Sequence, residues 1–225
     1  MSDTIQAISK SLSADIATLN AISHNIANSN TTGFRAERSV PSFQSQVGGD
    51  GSMVSIDQRD GALSQTGRAL DLALRGEGFF SILRGEETLL VRAGNFRLDT
   101  EGRVVNANGD RVLGVSGELT LEKEAVRIDD KGQIWAGEQS LGQLKLVNVA
   151  EPAKLVPVDG GFRYDGALGE WKGKVQQGAS EHTNVNVADE SIRLMELTRH
   201  VESVQRAISI YDKAMDTGIN RLGEN

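Results

Sequence analysis

The C-terminal part of the chain, from Asn186 to Leu222, carries a regular hydrophobic pattern. Its apolar residues recur at alternating spacings of three and four, a heptad repeat with two core positions. The positions hold Leu194, Leu197, Val201, Val204, Ile208, Tyr211, Met215 and Leu222, with Gly218 as the gap. A sustained 3.5-residue period is typical of a helix that supercoils against another helix. The pattern predicts a helix on the order of 50 Å long that needs a partner.

Residues 3–28 show the same pattern. One core position holds Ile5, Leu12, Leu19 and Ile26, and the other holds Ile8 and Ile22. Asp15 falls once in the second position, and two interpretations stay open. The carboxylate lies in the interface and fixes register, or the helix rotates slightly and the carboxylate faces water. The helix is expected to end near Asn30, where several helix-breaking residues precede Gly33 as a C-terminal glycine.

Two heptad helices at opposite ends of one chain favour antiparallel pairing. The alternative is two amphipathic helices that dock on an ordinary globular core, but both patterns are strict heptads rather than the broader 3.6-residue stripe. Asn186 is a plausible N-cap for the second helix, with Asp189 as its capping-box partner.

The period changes to two between Ala69 and Trp171. The predicted strands are Leu70–Leu74, Phe79–Leu83, Leu89–Phe96, Arg103–Asn106, Arg111–Val115, Ala125–Ile128, Gln133–Ala136, Leu144–Val149 and Phe162–Tyr164. Turn sequences rich in Asp, Asn and Gly separate them, at Asp99–Gly102, Asn108–Asp110 and Asp129–Gly132. Many short antiparallel strands indicate a compact all-β domain, a sandwich or a barrel.

The sequence therefore predicts an α+β fold with long N- and C-terminal helices paired as an antiparallel coiled coil. Residues 1–35 and 180–225 form the helical assembly domain, and residues 69–179 form the β domain. Residues 36–68, polar and containing Gly48, Gly49, Gly51 and Gly61, are interpreted as an extended connector with one short strand.

Composition narrows the function. A net charge of −7 and a pI near 5.1, without a Lys/Arg cluster, argue against a nucleic-acid partner. No run approaches the ~18 apolar residues of a membrane span, so no direct membrane insertion is expected. The N-terminus lacks the basic opening and continuous apolar run of a secretory signal. The absence of cysteine excludes disulfides and thiolate chemistry.

No motif predicts catalysis. His24, His182 and His200 are too far apart for metal-ligand spacing, so no metal is expected. Gly76 and Gly78 precede two phenylalanines and are interpreted as a strand-entry turn rather than a phosphate loop. The acidic turns lack the ligand pattern of a calcium loop and are interpreted as hairpin turns. We expect no enzyme, no cofactor and no catalytic residue.

Four blocks of the sequence resemble the axial rod and hook proteins of the bacterial flagellum. The first two blocks resemble the family patterns A-N-x-x-T-x-G-F and T-G-x-x-L-D-L-A-I-x-G-x-G-F-F, and the last resembles an S-N-V followed by R-x-x-E. The residues that carry these three blocks are Asn25, Ala27, Asn28, Thr31, Gly33, Phe34, Gly67, Leu70, Asp71, Gly76, Gly78, Phe79, Phe80, Asn184, Val185, Arg199 and Glu202. The third is Arg92–Asp99. Departures from the family pattern are His24 for Asn, Thr32 for Pro, Leu90-Val91 for Tyr-Thr and Thr183 for Ser.

The resemblance implies a structural subunit that assembles helically with copies of itself and with other rod subunits. The implied product is a hollow shaft that crosses the periplasm, transmits motor torque and passes exported subunits, with the terminal helices lining the inner tube. Export by the flagellar type III apparatus without a cleavable signal is also implied. The short chain and Leu141–Val147 are most similar to the proximal-rod type, and the distal-rod type is the close rival.

Two other classes remain as alternatives at this stage. A secreted adhesin would carry a β-domain binding module on a coiled coil and expose an aromatic cluster. Trp135, Trp171, Tyr164 and Phe162 are candidates for such a cluster, but we interpret them mostly as core residues. A hydrolase is the weaker alternative.

Overall fold

A computed structural model describes residues 2–41, 52–122 and 126–223. The fold is α+β, with a long helix near each end of the chain and a strand-rich central region. The chain forms two compact units. The helix unit comprises Met1–Ile26, Arg38–Val54 and Asn186–Asn225, and the strand unit comprises Ala27–Glu37 and Ser55–Val185. The polar loop predicted around Gly48, Gly49 and Gly51 lies outside the described residues.

The two helices are α1, Ser2–Ala27, and α2, Val187–Gly223. Helix α1 ends before the predicted stop near Asn30, because Asn28 already begins a turn in which its carbonyl accepts the N–H of Thr31 at 3.0 Å. The predicted N-cap of α2 is confirmed, since Asn186 Oδ1 accepts the backbone N–H of Ala188 at 3.0 Å. This bond satisfies one of the amide donors that the first turn of a helix leaves unpaired.

The described strands pair antiparallel wherever their register is defined. They are β1 Glu37–Pro41, β2 Ser52–Ile56, β3 Leu63–Gln65, β4 Leu72–Arg75, β5 Phe79–Arg84, β6 Glu87–Val91, β7 Arg97–Leu98, β8 Val104–Val105, β9 Arg111–Gly114, β10 Gly117–Glu118, β11 Arg127–Ile128, β12 Gln133–Ala136, β13 Gln139–Gln143, β14 Leu146–Val149, β15 Val156–Val158, β16 Gly161–Arg163, β17 Leu168–Glu170, β18 Lys174–Gln177 and β19 Ala179–Glu181. A short 3₁₀ helix, Pro152–Lys154, precedes β15.

The largest sheet is built around β5 and β6. Its order is β15-β16-β6-β5-β9-β8-β7, with β10 beside β9 and with β14 joining β5 to β17. Smaller sheets are β11-β12-β13, β4-β18, β3-β19 and β1-β2. Early strands thus pair with late ones: Leu72 lies opposite Gln177, and Leu63 lies opposite Glu181. The last strands before α2 are therefore held in the strand unit by early strands of the chain.

The core of the strand unit confirms the predicted alternation in part. Leu70, Leu72 and Leu74 all lie in one buried cluster with Phe80, whose ring packs edge-to-face on Phe96 at 5.1 Å. The residues between them are also buried, because β4 is covered on both faces: Ala73 is 0% and Asp71 is 1% exposed. Full burial of each such apolar side chain adds roughly 1.5–3 kcal/mol to stability.

Three hairpin turns share one hydrogen-bond arrangement, which confirms that they are turns. Asp99 Oδ1 accepts the N–H groups of Glu101 and Arg103 at 2.8 and 2.9 Å. Asn106 and Asp129 accept the corresponding pairs of N–H groups in the second and third turns. In each turn a glycine with positive φ follows three residues after the acceptor, at Gly102, Gly109 and Gly132. In all three turns the side-chain oxygen accepts hydrogen bonds from backbone N–H groups of the turn.

The aromatic residues proposed for a binding cluster lie mostly in packed positions. Phe162 is 9% exposed and contacts Phe79 edge-to-face at 5.6 Å. Trp171 packs on the core cluster, and Trp135 and Tyr164 are half-buried. Within the described residues, no helix is long and apolar enough to cross a membrane.

Candidate assembly site

The heptad stripes of α1 and α2 are only partly covered. Ile22 is buried, at 3% exposure, whereas Leu12, Leu19 and Tyr211 are 48%, 41% and 37% exposed. The half-buried members are Ile8, Ile26, Leu194, Leu197, Val201, Val204 and Ile208. The side chains of Ile5, Met215 and Leu222 lie outside the described part of the chain. A row of half-covered apolar side chains on both helices leaves apolar surface for further contacts.

Polar contacts between α1 and α2 in the described residues include one near each end of a ten-residue span. The amide of Asn25 donates from Nδ2 to Glu190 Oε2 at 3.3 Å, and His200 Nε2 lies 3.7 Å from Asp15 Oδ2. Asp15 and Asn25 are ten residues apart, as are Glu190 and His200, and the order is reversed between the helices. The Asp15 side chain is 14% exposed, which favours the interface interpretation over the one in which it faces water.

Glu190 is fully buried in the first turn of α2. Its Oε1 accepts a hydrogen bond from Nη1 of Arg38 at 2.7 Å, so the carboxylate binds both Asn25 of α1 and a residue of β1. A buried carboxylate without such partners would be strongly unfavourable. The three segments of the helix unit therefore meet at one charged group, which the sequence analysis did not predict.

The guanidinium of Arg92 is fully hydrogen-bonded within the strand unit. Its Nε donates to Glu181 at 2.6 Å, and Nη2 donates to Asp60 at 2.9 Å and to the carbonyl of Leu74 at 2.7 Å. Its Nη1 donates to the carbonyls of Gly76 and Gly78, both at 2.7 Å. All five N–H groups of the guanidinium are thus used at a side chain that is 1% exposed.

Arg35 completes this cluster. Its Nη2 lies 3.0 Å from Glu181 Oε1 and 3.3 Å from Asp60 Oδ1, and its Nη1 donates to the carbonyl of Arg59. Two guanidinium groups and two carboxylates balance in charge, which offsets the cost of burying Arg35, Arg92 and Glu181, while the Asp60 side chain is 39% exposed. Burial, and after it the charge of Arg92, lowers the pKa of Arg35 from its ordinary value, against the opposing effect of Glu181 and Asp60.

The chain segments that follow α1 and precede α2 are bonded side by side in the strand unit. Gly33 donates its N–H to the carbonyl of Glu181 at 2.8 Å, and its φ of +67° is the left-handed conformation that favours glycine. Asn184 Oδ1 accepts the N–H of Ala36 at 2.7 Å, while its Nδ2 donates to the carbonyls of Asp57 and Arg59, both at 2.9 Å. Gly33 and Asn184, two residues of the family motif, therefore hold the two segments together through hydrogen bonds.

Asp71 of the second motif block is a buried, paired carboxylate. Arg68 donates to it from Nε at 2.9 Å and from Nη2 at 2.6 Å, and Asn95 donates from Nδ2 at 3.1 Å. Burial raises the pKa of Asp71, but hydrogen bonds from Arg68, Thr66 and Asn95 and the Arg68 charge lower it by more, so the net shift is downward. Its own carbonyl accepts the N–H of Gly178 at 2.8 Å.

The glycines of the same block confirm a turn before β5 and add a role. Gly76 and Gly78 have φ values of +93° and +147°, and their carbonyls surround the Arg92 guanidinium. A Cβ on Gly78 would lie 2.2 Å from Cδ1 of Trp171. The loop thus holds a cation through its carbonyls, the opposite polarity to a phosphate loop.

The remaining motif residues are distributed between the core and the surface. Leu70, Phe79 and Phe80 are buried, Asn28, Phe34 and Val185 are half-buried, and Ala27, Thr31, Gly67, Arg199 and Glu202 are exposed. Within the described part of the chain, no group of acidic residues and histidines is arranged to hold a metal ion. Glu181, Glu190, Arg38 and Asp60 are not among the residues predicted from the sequence. Only Glu181 had a signal, its position just before the Thr183–Asn186 block.

Comparison with known proteins shows the family to which the chain belongs. Three family models match the chain: the flagellar hook protein FlgE/F/G D1 domain at residues 73–136, the flagellar basal body rod FlgEFG protein C-terminal at 176–222, and the flagella basal body rod protein at 9–35. The chain is 30% identical over 228 residues to the flagellar basal-body rod protein FlgF of Rhizobium meliloti, with 91% of each chain covered. It is 26% identical over 244 residues to FlgG of Bacillus subtilis, with 90% of this chain and 92% of the relative covered.

The chain belongs to the flagellar rod and hook protein family. Within that family it is a structural subunit of the flagellar basal-body rod and not an enzyme. It functions in the flagellum, in assembly with other rod and hook subunits. The family assignment removes the adhesin and hydrolase alternatives.

Proposed function

We propose that the chain is a proximal-rod subunit of the F type. Alignments to FlgF relatives extend over 226–229 positions, whereas those to FlgG relatives extend over 243–251 positions. The covered share of this chain is about the same in both sets, 90–92%, so the FlgG alignments contain more gaps. A chain of this length fits the F type with fewer insertions.

In this proposal α1 and α2 pair as an antiparallel coiled coil, and the pairing is the assembly element. The observation that supports it is the register of the two polar contacts between the helices. With Asn25 beside Glu190 and Asp15 beside His200, the same antiparallel register shifted by one residue brings the heptad positions of the two helices opposite one another. The facing pairs in this register are Ile8 with Ile208, Leu12 with Val204, Leu19 with Leu197, and Ile22 with Leu194.

The incomplete cover of the stripes gives the helices their role in the shaft. Subunits stack helically, neighbouring chains bury the remaining apolar surface, and the hollow shaft crosses the periplasm, transmits torque and passes exported subunits. Each side chain buried in this step contributes roughly 1.5–3 kcal/mol. The subunit itself leaves the cell body through the flagellar type III apparatus. Before assembly the helices are only partly ordered, and they fold fully when neighbours cover them.

Amide hydrogen exchange on the isolated chain tests the folding step. We expect weak protection of residues 5–26 and 194–222 in the monomer and strong protection after assembly with sibling rod subunits. Protection of both ranges in the monomer that equals that of β5 and β6 would contradict folding on assembly.

Gene replacement tests the rod type. The chain is expressed in a motile bacterium that lacks its F-type subunit and, separately, in one that lacks its G-type subunit. We expect motility and a complete rod in the first strain only. Rescue of the second strain alone identifies a distal-rod subunit instead, and electron cryotomography of basal bodies locates the subunit in either case.

A further inference from the structure

We propose that Arg92, Glu181, Arg35 and Asp60 form a mechanical anchor that keeps the segments leading to α1 and α2 in the strand unit while torque passes through the subunit. The proposal rests on the proposed shaft function. It assigns a positioning role to Arg92 and Glu181, because these residues act on the shaft only through the chain segments that they hold in place.

The two segments form a single strap, defined here as residues 33–36 and 181–184. Gly33 donates to the carbonyl of Glu181, Asn184 donates its N–H to the carbonyl of Phe34 at 3.4 Å, and Ala36 donates to Asn184 Oδ1. A force on α1 or on α2 therefore reaches the same set of bonds. The strap contributes one charged residue from each segment, Arg35 and Glu181, and both are buried.

The other side of the anchor belongs to the core strands. Arg92 directly follows β6, one of the two strands at the centre of the largest sheet, and donates to carbonyls at the end of β4 and in the turn before β5. Because a guanidinium is planar and rigid, its five bonds cannot be released one side-chain rotation at a time. Loss of Glu181 would leave the two buried guanidinium groups of Arg92 and Arg35 to share one carboxylate, that of Asp60, which is more costly than losing apolar contacts of the same size.

Single-molecule pulling on the full-length chain tests the anchor. The chain has no cysteine, so handles can be attached at two introduced cysteines. With handles at Ser203→Cys and Glu138→Cys, the force passes through residues 181–186 into the strand unit. We expect Glu181→Gln to raise the rate of release at constant force by roughly 100-fold. Arg92→Lys, which keeps the charge but not the fork, is expected to have a similar effect and serves if Glu181→Gln folds poorly.

A second pulling geometry separates an anchor from an ordinary stabilising cluster. With handles at Thr100→Cys and Glu138→Cys, the force stays within the strand unit and bypasses the strap, and we expect the release rate of Glu181→Gln to change by less than tenfold. Arg84→Lys is the matched ion-pair control, because Arg84 binds Asp110 through two bonds, at 2.9 and 2.7 Å, away from the strap. An equal acceleration in both geometries, or none in the first, overturns the proposal. The rod assignment is tested separately by gene replacement.

Discussion

Asn25 and Glu190 form a buried polar pair between the last turns of α1 and the first turn of α2. The distance from Nδ2 to Oε2 is 3.3 Å, and both residues are 0% exposed. An apolar stripe alone allows two helices to slide by whole turns, whereas a buried hydrogen bond is satisfied in one position. The pair therefore specifies which ends of the helices meet, in agreement with the contact between Asp15 and His200.

A double-mutant cycle measures this relationship. We expect Asn25→Ala and Glu190→Ala each to destabilise the chain in urea, with a coupling energy of about 1.5–3 kcal/mol because a hydrogen bond to a buried charge is lost. The exposed pair Lys154 and Glu151, at 2.8 Å, is the control and should show much weaker coupling, because solvent screens an exposed ion pair. A coupling for Asn25 and Glu190 as small as that of the control contradicts a specifying role.

Disulfide trapping tests the antiparallel register. Because the chain lacks cysteine, the variant with Leu12→Cys and Val204→Cys can form one intrachain disulfide only. We expect it to oxidise at least tenfold faster than the variant with Leu12→Cys and Leu197→Cys, which places the thiols about one heptad, roughly 10 Å, apart. Equal rates indicate that the helices slide, and a reversed order shows that the proposed register is wrong.

Charge insertion tests the assembly role of the stripe. Leu197→Asp or Val204→Asp places an unpaired carboxylate among half-buried apolar residues and should abolish co-assembly with sibling rod subunits. The strand unit should keep its near-ultraviolet circular dichroism. Gln205→Asp, on an exposed position of the same helix, is the matched control and should assemble. Normal assembly of both stripe variants would show that these residues do not form the interface.

The helices and the main strands follow from local patterns in the sequence. The heptads locate α1 and α2, and alternating apolar runs locate β5, β9 and β12 within a residue or two, because each pattern reflects one buried face. The described part of the connector contains three strands rather than the predicted one, and β7, β10, β13, β15, β17, β18 and β19 were not predicted. Among them, β13, β17, β18 and β19 are rich in Gln, Gly and Ser. Strands β18 and β19 form because their long-range partners β4 and β3 offer an edge.

The charged clusters did not follow from any local pattern. Asp60, Arg92 and Glu181 lie far apart in the sequence. Each is a charged residue of a type that is usually exposed, so its sequence neighbours do not indicate burial. Their meeting depends on the pairing of β19 with β3, which periodicity does not encode. The glycine motif illustrates the same limit. The sequence predicts a turn at Gly76–Gly78, and only the fold shows that its carbonyls bind Arg92.

The ion pair between Arg84 and Asp110 predicts a specific loss of stability in acid. Hydrogen bonds from Arg84 lower the pKa of Asp110 in the folded chain, and its side chain is 9% exposed. Above the unfolded pKa of about 3.9, both states are ionised and the pair contributes fully. As the pH falls below that value, the unfolded state binds the proton first, so the contribution decreases until the folded pKa is passed.

Urea titrations at several pH values measure this effect. The stability difference between the parent chain and Asp110→Asn should be constant from pH 7 to about 5 and should shrink below about 4. Arg84→Met removes the cation that lowers the pKa, so its stability should depend less on pH in the same window. A difference that stays constant down to pH 2 would contradict the pairing.

Gly33 predicts a large cost for the smallest of substitutions. Its φ is +67°, and a Cβ would lie 2.4 Å from the backbone nitrogen of Ala93, the residue beside Arg92. Gly33→Ala therefore adds a backbone clash to conformational strain and should destabilise the chain in urea by about 2–5 kcal/mol. Gly85→Ala is the matched control, since Gly85 has a φ of +60° and open space around its Cβ, and it should cost about 1–2 kcal/mol. Equal costs for the two variants would mean that the strap does not pack against the residue after Arg92 as closely as the structure shows.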